Sequence, residues 1–179
     1  GFFSAWTCTL CQRMEEAVKQ LDPLGSLRRT HYCGTLRPAQ VGQEAILCGW
    51  VHRRRDHGGV VFVDLRDRTG LAQVVFKPDT APEAHEKAGE LRAEYVIVVR
   101  GRVEPRGEEA INPKLPTGEV ELMVTELRIL NTATTPPFVL EDDVQVDEAL
   151  RLRYRIHDLR RPLMQQRLAT PEHLISLER

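Results

Sequence analysis

The 179 residues carry 25 Lys and Arg against 26 Asp and Glu, a net charge of −1, with 41% hydrophobic and 28% charged residues. This is the composition of an ordinary globular chain rather than a polycation, so any contact with nucleic acid must come from a local patch. No apolar run reaches the length of a membrane span, and Gly1 to Trp6 lacks the basic lead-in and cleavage pattern of a signal peptide, so a cytoplasmic placement is expected.

Residues 1–27 read as an extension without a motif. Glu15 to Leu21 is expected to form two helical turns, which Asp22-Pro23-Leu24-Gly25 then breaks. The chain does not open on Met, which fits a fragment or a processed product. Its four cysteines are Cys8, Cys11, Cys33 and Cys48. Cys8 and Cys11 have half the spacing of a zinc site, but no second close pair completes four ligands, so incidental thiols are expected and no metal site.

From about Thr30 to Ala133 the pattern changes to short β segments. Ala45 to Val51 is a strand candidate in which Gly49 suggests a bend. Arg53-Arg54-Arg55-Asp56-His57-Gly58-Gly59 is expected to be a charged loop ending in a tight glycine turn. In Val60 to Arg66, the residues Val61, Val63 and Leu65 share one face and Phe62, Asp64 and Arg66 the other. Asp67 to Gly70 is a turn, and Leu71 to Phe76 is the natural hairpin partner. Pro82 to Glu94 is expected to be a helix, with Ala84, Ala88 and Leu91 on one stripe. Tyr95 to Val103 and Val120 to Leu127 complete the strands, separated by a loop over Glu104 to Gly118 that is punctuated by Pro and Gly.

Three strands, a helix and two strands, with long first and fourth loops, fit a mainly β fold: a five-stranded Greek-key barrel of the OB type. A small SH3-like or split β-sheet domain is the competing architecture. Thr135 to Phe138 and the acidic Glu141-Asp142-Asp143 read as a hinge. Asp147 to Leu168 resumes as Arg-rich helix with Leu150, Leu152, Ile156 and Leu159 as its apolar positions. The expected organisation is therefore an extension over 1–27, a barrel over 28–133, a hinge and helical segment over 134–168, and a tail over 169–179.

An OB barrel binds single strands across its second and third strands. Phe62, opposite the aliphatic face, is a candidate for stacking on an unpaired base, and becomes core if the strand phase slips by one. Gln73 carries both donors and acceptors and could read a base edge, or be a solvated strand residue. Arg53, Arg54 and Arg55 could hold phosphates or be a solvated charge run. Glu121 could accept from a base amino group, a weaker signal. No catalytic residues are expected: the six histidines are scattered, and no phosphate-cradling loop followed by Lys-Ser/Thr is present.

Several segments together resemble the amino-terminal domain of bacterial aspartyl-tRNA synthetase. They are Arg29 to Gly34, Leu47 to Asp56, Phe62 to Asp67, Gly70 to Phe76, Asn112 to Glu119, Leu150 to Arg155 and Asp158 to Pro162. The resemblance runs collinearly over about residues 28 to 168. It implies an anticodon-binding domain in which Phe62 stacks, Gln73 reads a base, Arg53 to Arg55 serve as loop arginines and Glu121 acts from strand five. It further implies a parent aspartate–tRNA ligase that uses ATP and magnesium, is a homodimer, and takes tRNA(Asp) as partner. Members that also charge tRNA(Asn) tend to carry His-Gly-Gly where this chain has His57-Gly58-Gly59, which adds His57 to the candidates. The class II catalytic motifs are absent from these 179 residues, so the chain is expected to be monomeric, inactive alone, and without a cofactor of its own. A free-standing OB protein that binds single-stranded RNA or DNA is the alternative.

Overall fold

The computed structural model describes residues 21–107, 110–113, 115–143 and 145–177, with side chains through Ala169. Cys8, Cys11, the side chain of His173 and the expected turns over Glu15 to Leu21, apart from Leu21, lie outside the described residues. The chain divides into two compact units, Gly1–Thr135 and Pro136–Arg179.

In the first unit, strands β1 (Glu44–His57), β2 (Val60–Asp67), β3 (Gly70–Phe76), β4 (Val96–Pro105) and β5 (Val120–Asn131) are joined by a helix, α1 (Pro82–Gly89), between β3 and β4. The strands close into a barrel in the order β1-β2-β3-β5-β4, in which only β3 and β5 run parallel. This is the expected OB architecture. Closure follows from the alternation read in the sequence. Val61, Val63 and Leu65 of β2 point inward, as do Leu47 and Val51 of β1 and Ile97 and Val99 of β4, and they pack into one apolar core. Cys33 is buried in the same core, and desolvation pushes its thiol far above the ordinary range, which makes it an inert packing residue.

The structure corrects the expected first loop. β1 runs for 14 residues through all three arginines to His57, and the connection to β2 is the Gly58-Gly59 pair alone. Both glycines have positive φ, 61° and 80°, as a two-residue hairpin turn of the primed type requires. The first half of β1 pairs with β4 and the second half with β2. The change of partner is accompanied by a register shift between Val51 and Arg53 that leaves His52 as the extra residue. The polar run has the composition of a loop because its side chains are solvent-facing, but its backbone is fully laddered. Gly49 is likewise not a bend. A Cβ there would collide with the Arg66 carbonyl on β2, so the glycine allows two strands to approach closely.

The helix α1 ends at Gly89, five residues earlier than expected. Beyond it the chain is drawn into pairing with β1: Glu94 N donates to Val51 O at 2.7 Å, and Val51 N donates to Tyr95 O at 2.9 Å. Ala84 and Ala88 are buried on the helix, and Leu91 is buried just after it. The loop between β4 and β5 is long, as expected.

In the second unit the expected single helix is three pieces: α2 (Glu148–Arg153), α3 (Arg155–Asp158) and α4 (Pro162–Leu177). Asp147 caps α2 by accepting from Ala149 N. Asp158 is buried between Arg155 and Arg161, each at 2.8 Å. Leu152 and Ile156, expected to be apolar anchors, are exposed, Ile156 at 85%. The interruption at Tyr154 resets the helical phase, so a stripe drawn through both sides of it does not exist.

Candidate nucleic-acid interface

Each strand of a barrel sends alternate side chains outward, and cross-strand partners point to the same side. The register pairs Arg55 with Phe62, Arg53 with Asp64, Asp64 with Gln73 and Phe62 with Val75. Since Val61 and Val63 are 1% and 0% exposed in the core, Phe62, Arg53, Arg55 and Gln73 all belong to the outer face. The core alternative for Phe62 is thereby removed, and its ring is half-buried beside the Arg55 strand position.

Gln73 is not a solvated strand residue. It is buried, its Nε2 donates to Glu121 Oε2 at 3.0 Å, and its Oε1 accepts from Arg55 Nη2 at 3.4 Å. Glu121 reaches it because β5 lies alongside β3, with Val74 opposite Leu122. Arg55 Nη2 also donates to Asp64 Oδ1 at 2.8 Å. Arg55, Asp64, Gln73 and Glu121 thus form one continuous polar row, with the Phe62 ring at its side.

Burial raises the pKa of Glu121 above its ordinary value, against the lowering effects of the Gln73 hydrogen bond and the Arg106 charge. Arg106 has no signal in the sequence, where it is only an arginine between Pro105 and Gly107 in a long loop. It is 7% exposed, its Nε donates to Val120 O at 3.1 Å, and its Nη2 is buried without a hydrogen-bond partner among the described residues. Burial depresses its pKa, while the Glu121 and Asp64 charges act in the opposite sense. One buried guanidinium donor is therefore left unsatisfied on a residue whose charge acts on Glu121.

The other predicted residues are distributed differently. Arg53 is exposed on the outer face, and His57 is exposed at the end of β1 next to the hairpin turn. Arg54 pairs with inward-pointing Val63, and its Nε donates to Ala88 O in the last turn of α1 at 2.9 Å. There a cation meets the negative end of the helix, so Arg54 braces the hairpin rather than joining the row. On the same helix, the His85 ring Nε2 lies 2.7 Å from Gly59 O in the hairpin turn.

A family model described as an OB-fold nucleic acid binding domain matches residues 45–130. The matched residues are the barrel, from β1 to β5. A curated relative, the aspartate–tRNA(Asp/Asn) ligase of Desulfosudis oleivorans, is 58% identical over 148 residues, covering 83% of this chain and 25% of that protein. The chain therefore spans about a quarter of the length of the curated relatives it matches, their amino-terminal quarter. Among solved structures, asparaginyl-tRNA synthetase from Pyrococcus horikoshii is 27% identical with a TM-score of 0.70, covering 84% of this chain and 33% of that one. An OBody bound to hen egg-white lysozyme is 31% identical with a TM-score of 0.52, covering 60% of this chain and 97% of that one. The expected resemblance to the amino-terminal domain of aspartyl-tRNA synthetases is borne out.

Among the described residues no group of three or more His, Cys, Asp or Glu side chains is placed to hold a metal ion. No helix among them is long and apolar enough to cross a membrane.

Proposed function

We propose that the outer face of the barrel reads unpaired bases of a tRNA anticodon loop, as the amino-terminal part of an aspartate–tRNA ligase. The observation that carries this reading is the row Arg55–Gln73–Glu121 beside the half-buried ring of Phe62. An aromatic ring offers a base a stacking surface worth about 1–3 kcal/mol. The amide of Gln73 and the carboxylate of Glu121 then offer the base edge a donor and acceptors. In this reading Arg53 and Arg55 on the outer face, and His57 at the end of β1, would meet the phosphates flanking the stacked base, and Arg106, whose charge acts on Glu121, would support the row from beneath.

The intramolecular bonds define the mechanism. In the free protein Gln73 is satisfied by Arg55 and Glu121, so an entering base exchanges these bonds for its own and does not meet unsolvated groups. A base with the wrong donor pattern breaks the pairs without replacing them, which is the source of discrimination.

The partner in this reading is tRNA(Asp). Relatives named aspartate–tRNA(Asp/Asn) ligase, together with His57-Gly58-Gly59, extend it to tRNA(Asn). The full-length protein would carry out the ATP- and magnesium-dependent ligation in the cytoplasm as a homodimer, and this chain alone would supply RNA recognition as a monomer.

The test is binding of this chain to tRNA(Asp), intact and with single anticodon bases exchanged, across a salt series. Base exchange is expected to weaken binding about tenfold or more, and Phe62→Ala and Gln73→Ala to remove the difference. Equal, steeply salt-dependent binding of all RNAs would leave only phosphate contact and defeat the reading.

A further inference from the structure

At the end of β2 remote from the Gly58-Gly59 turn, the structure brings together a second basic and aromatic cluster. Residues 28–43 contain Arg28, Arg29, His31 and Arg37 and no Asp or Glu, in a chain whose net charge is −1. The Arg29 guanidinium carbon lies 4.3 Å from the centroid of the Tyr32 ring, and that of Arg68 lies 4.9 Å from the same ring. Arg68 Nη2 also donates to the Tyr32 hydroxyl at 3.0 Å. Both arginines are exposed, and neither has a carboxylate partner among the described residues.

The cluster is rigidly built. Asp67, buried in the β2–β3 turn, accepts from Cys33 N at 2.7 Å, from Thr69 N and Oγ1 at 2.7 and 2.6 Å, and from Gly70 N at 3.2 Å. Gly34 N donates to Thr69 Oγ1 at 2.9 Å. One carboxylate therefore fixes the segment that carries Tyr32 to the turn that carries Arg68. Thr30 ties the start of the same segment to β1 through Ile46. Two like charges are thus held against one ring by the fold, with no carboxylate ion-paired to either among the described residues. A guanidinium lying on an aromatic ring keeps its edge N–H groups available to an anion.

We infer that Arg29, Tyr32 and Arg68 form a phosphate-backbone clamp that grips the RNA beyond the bases read at Phe62. Arg68 lies six residues past Phe62, just beyond the end of β2, about 20 Å at strand rise. A strand of an A-form RNA duplex rises somewhat less per phosphate than the ~3.4 Å of B-DNA, so on the order of six or seven phosphates separate the two sites. The clamp therefore takes the stem that carries the loop. It reads charge and not sequence, and it adds affinity and orientation without adding discrimination. This inference rests on the anticodon-loop reading above.

The experiment compares the wild-type chain with the Arg29→Gln/Arg68→Gln double variant on two RNAs, a stem-loop with a long stem and the single-stranded loop alone. On the stem-loop the double variant is expected to lower the slope of log affinity against log salt by about 1.8, the value for two phosphate contacts. On the loop alone it is expected to change nothing, and the ratio between anticodons is expected to stay at its wild-type value. Arg29→Lys/Arg68→Lys, which keeps the charge, is expected to restore the slope. A wild-type slope in the Gln variant on the stem-loop, or an equal loss on the loop alone, overturns the clamp. Phosphate-ethylation interference with the wild-type chain decides the same question without a variant: stem phosphates must interfere, and interference confined to the loop overturns the clamp. If the wild-type chain fails to distinguish anticodons, the base reading fails, while these slopes still decide the clamp.

Discussion

Arg55 and Asp64 face each other across the β1–β2 hairpin, with guanidinium Nη2 2.8 Å from carboxylate Oδ1, so the outer face of the barrel is ion-paired with itself. The pair is partly solvated, with Arg55 46% exposed, and such pairs are worth about 0.2–1 kcal/mol. Its consequence is orientation: Asp64 holds the guanidinium within reach of Gln73 and subtracts one charge from the face. Asp64→Asn is expected to raise affinity for every RNA by about threefold, the equivalent of that pair. It is also expected to narrow the ratio between correct and altered anticodons, because Arg55 is no longer held in place. Anisotropy titrations with matched RNAs measure both effects. An unchanged ratio would show that Asp64 acts only as a repulsive charge.

Arg106 presents the opposite situation, a buried cation with an unsatisfied donor among the described residues. Arg106→Leu removes a desolvated charge and leaves Val120 O without its side-chain donor, two effects of opposite sign on stability. The melting temperature is therefore expected to change little. RNA affinity is expected to fall by about 1.5–3 kcal/mol, the range for a hydrogen bond to a charged group. Loss of stability with unchanged RNA binding would make Arg106 a structural residue of the loop.

The helix α1 braces the hairpin from the other side, through Arg54 to Ala88 O and His85 to Gly59 O. His85→Ala is expected to speed hydrogen exchange at the His57 and Val60 amides that close the hairpin, and to raise the RNA dissociation rate about threefold, the equivalent of one net hydrogen bond. His85→Gln, which retains a donor, is expected to recover part of both. Unchanged exchange in His85→Ala would mean that the two glycines hold the turn without help.

Much of this barrel is legible in the sequence because its core follows strict period-2 alternation. Val61, Val63 and Leu65 mark the inward face of β2, and Phe62 follows as an outward residue. The long β1 is not legible past Val51. A strand that turns polar on leaving the core has the composition of a loop, and only the Gly58-Gly59 pair marks where the turn is. The division of the three arginines, with Arg54 turned to α1 and Arg53 and Arg55 outward, depends on a register shift that has no local signal. Gln73 and Glu121 are each a weak indication alone, and the parallel pairing of β3 with β5 across 48 residues makes them a pair. Arg106 is buried where the chain returns to β5, its N donating to Glu119 O and its Nε to Val120 O, pairings across the loop without a local pattern.

Two carboxylates give pH dependences of opposite sign. Burial tends to raise the pKa of Asp67, but the bonds from Thr69, Cys33 and Gly70 outweigh it and hold the group below its ordinary 3.8. The native state then binds fewer protons than the unfolded chain, so this stabilisation is complete above 3.8 and is lost as pH falls through the native value. Glu121 is raised by burial above 4.5, so its native state holds the proton longer. The associated stability is complete below 4.5 and is lost as pH rises through the native value. Asp67→Asn is therefore expected to be destabilising near neutrality, by about 3 kcal/mol for a carboxylate accepting several bonds, and less so as the pH approaches 3. Glu121→Gln is expected to become relatively more stable than the wild type as pH is raised from 4 into the neutral range. Denaturant titrations from pH 3 to 7 measure both trends, and parallel curves for Glu121→Gln and wild type would remove the buried-carboxylate account of the base-reading row.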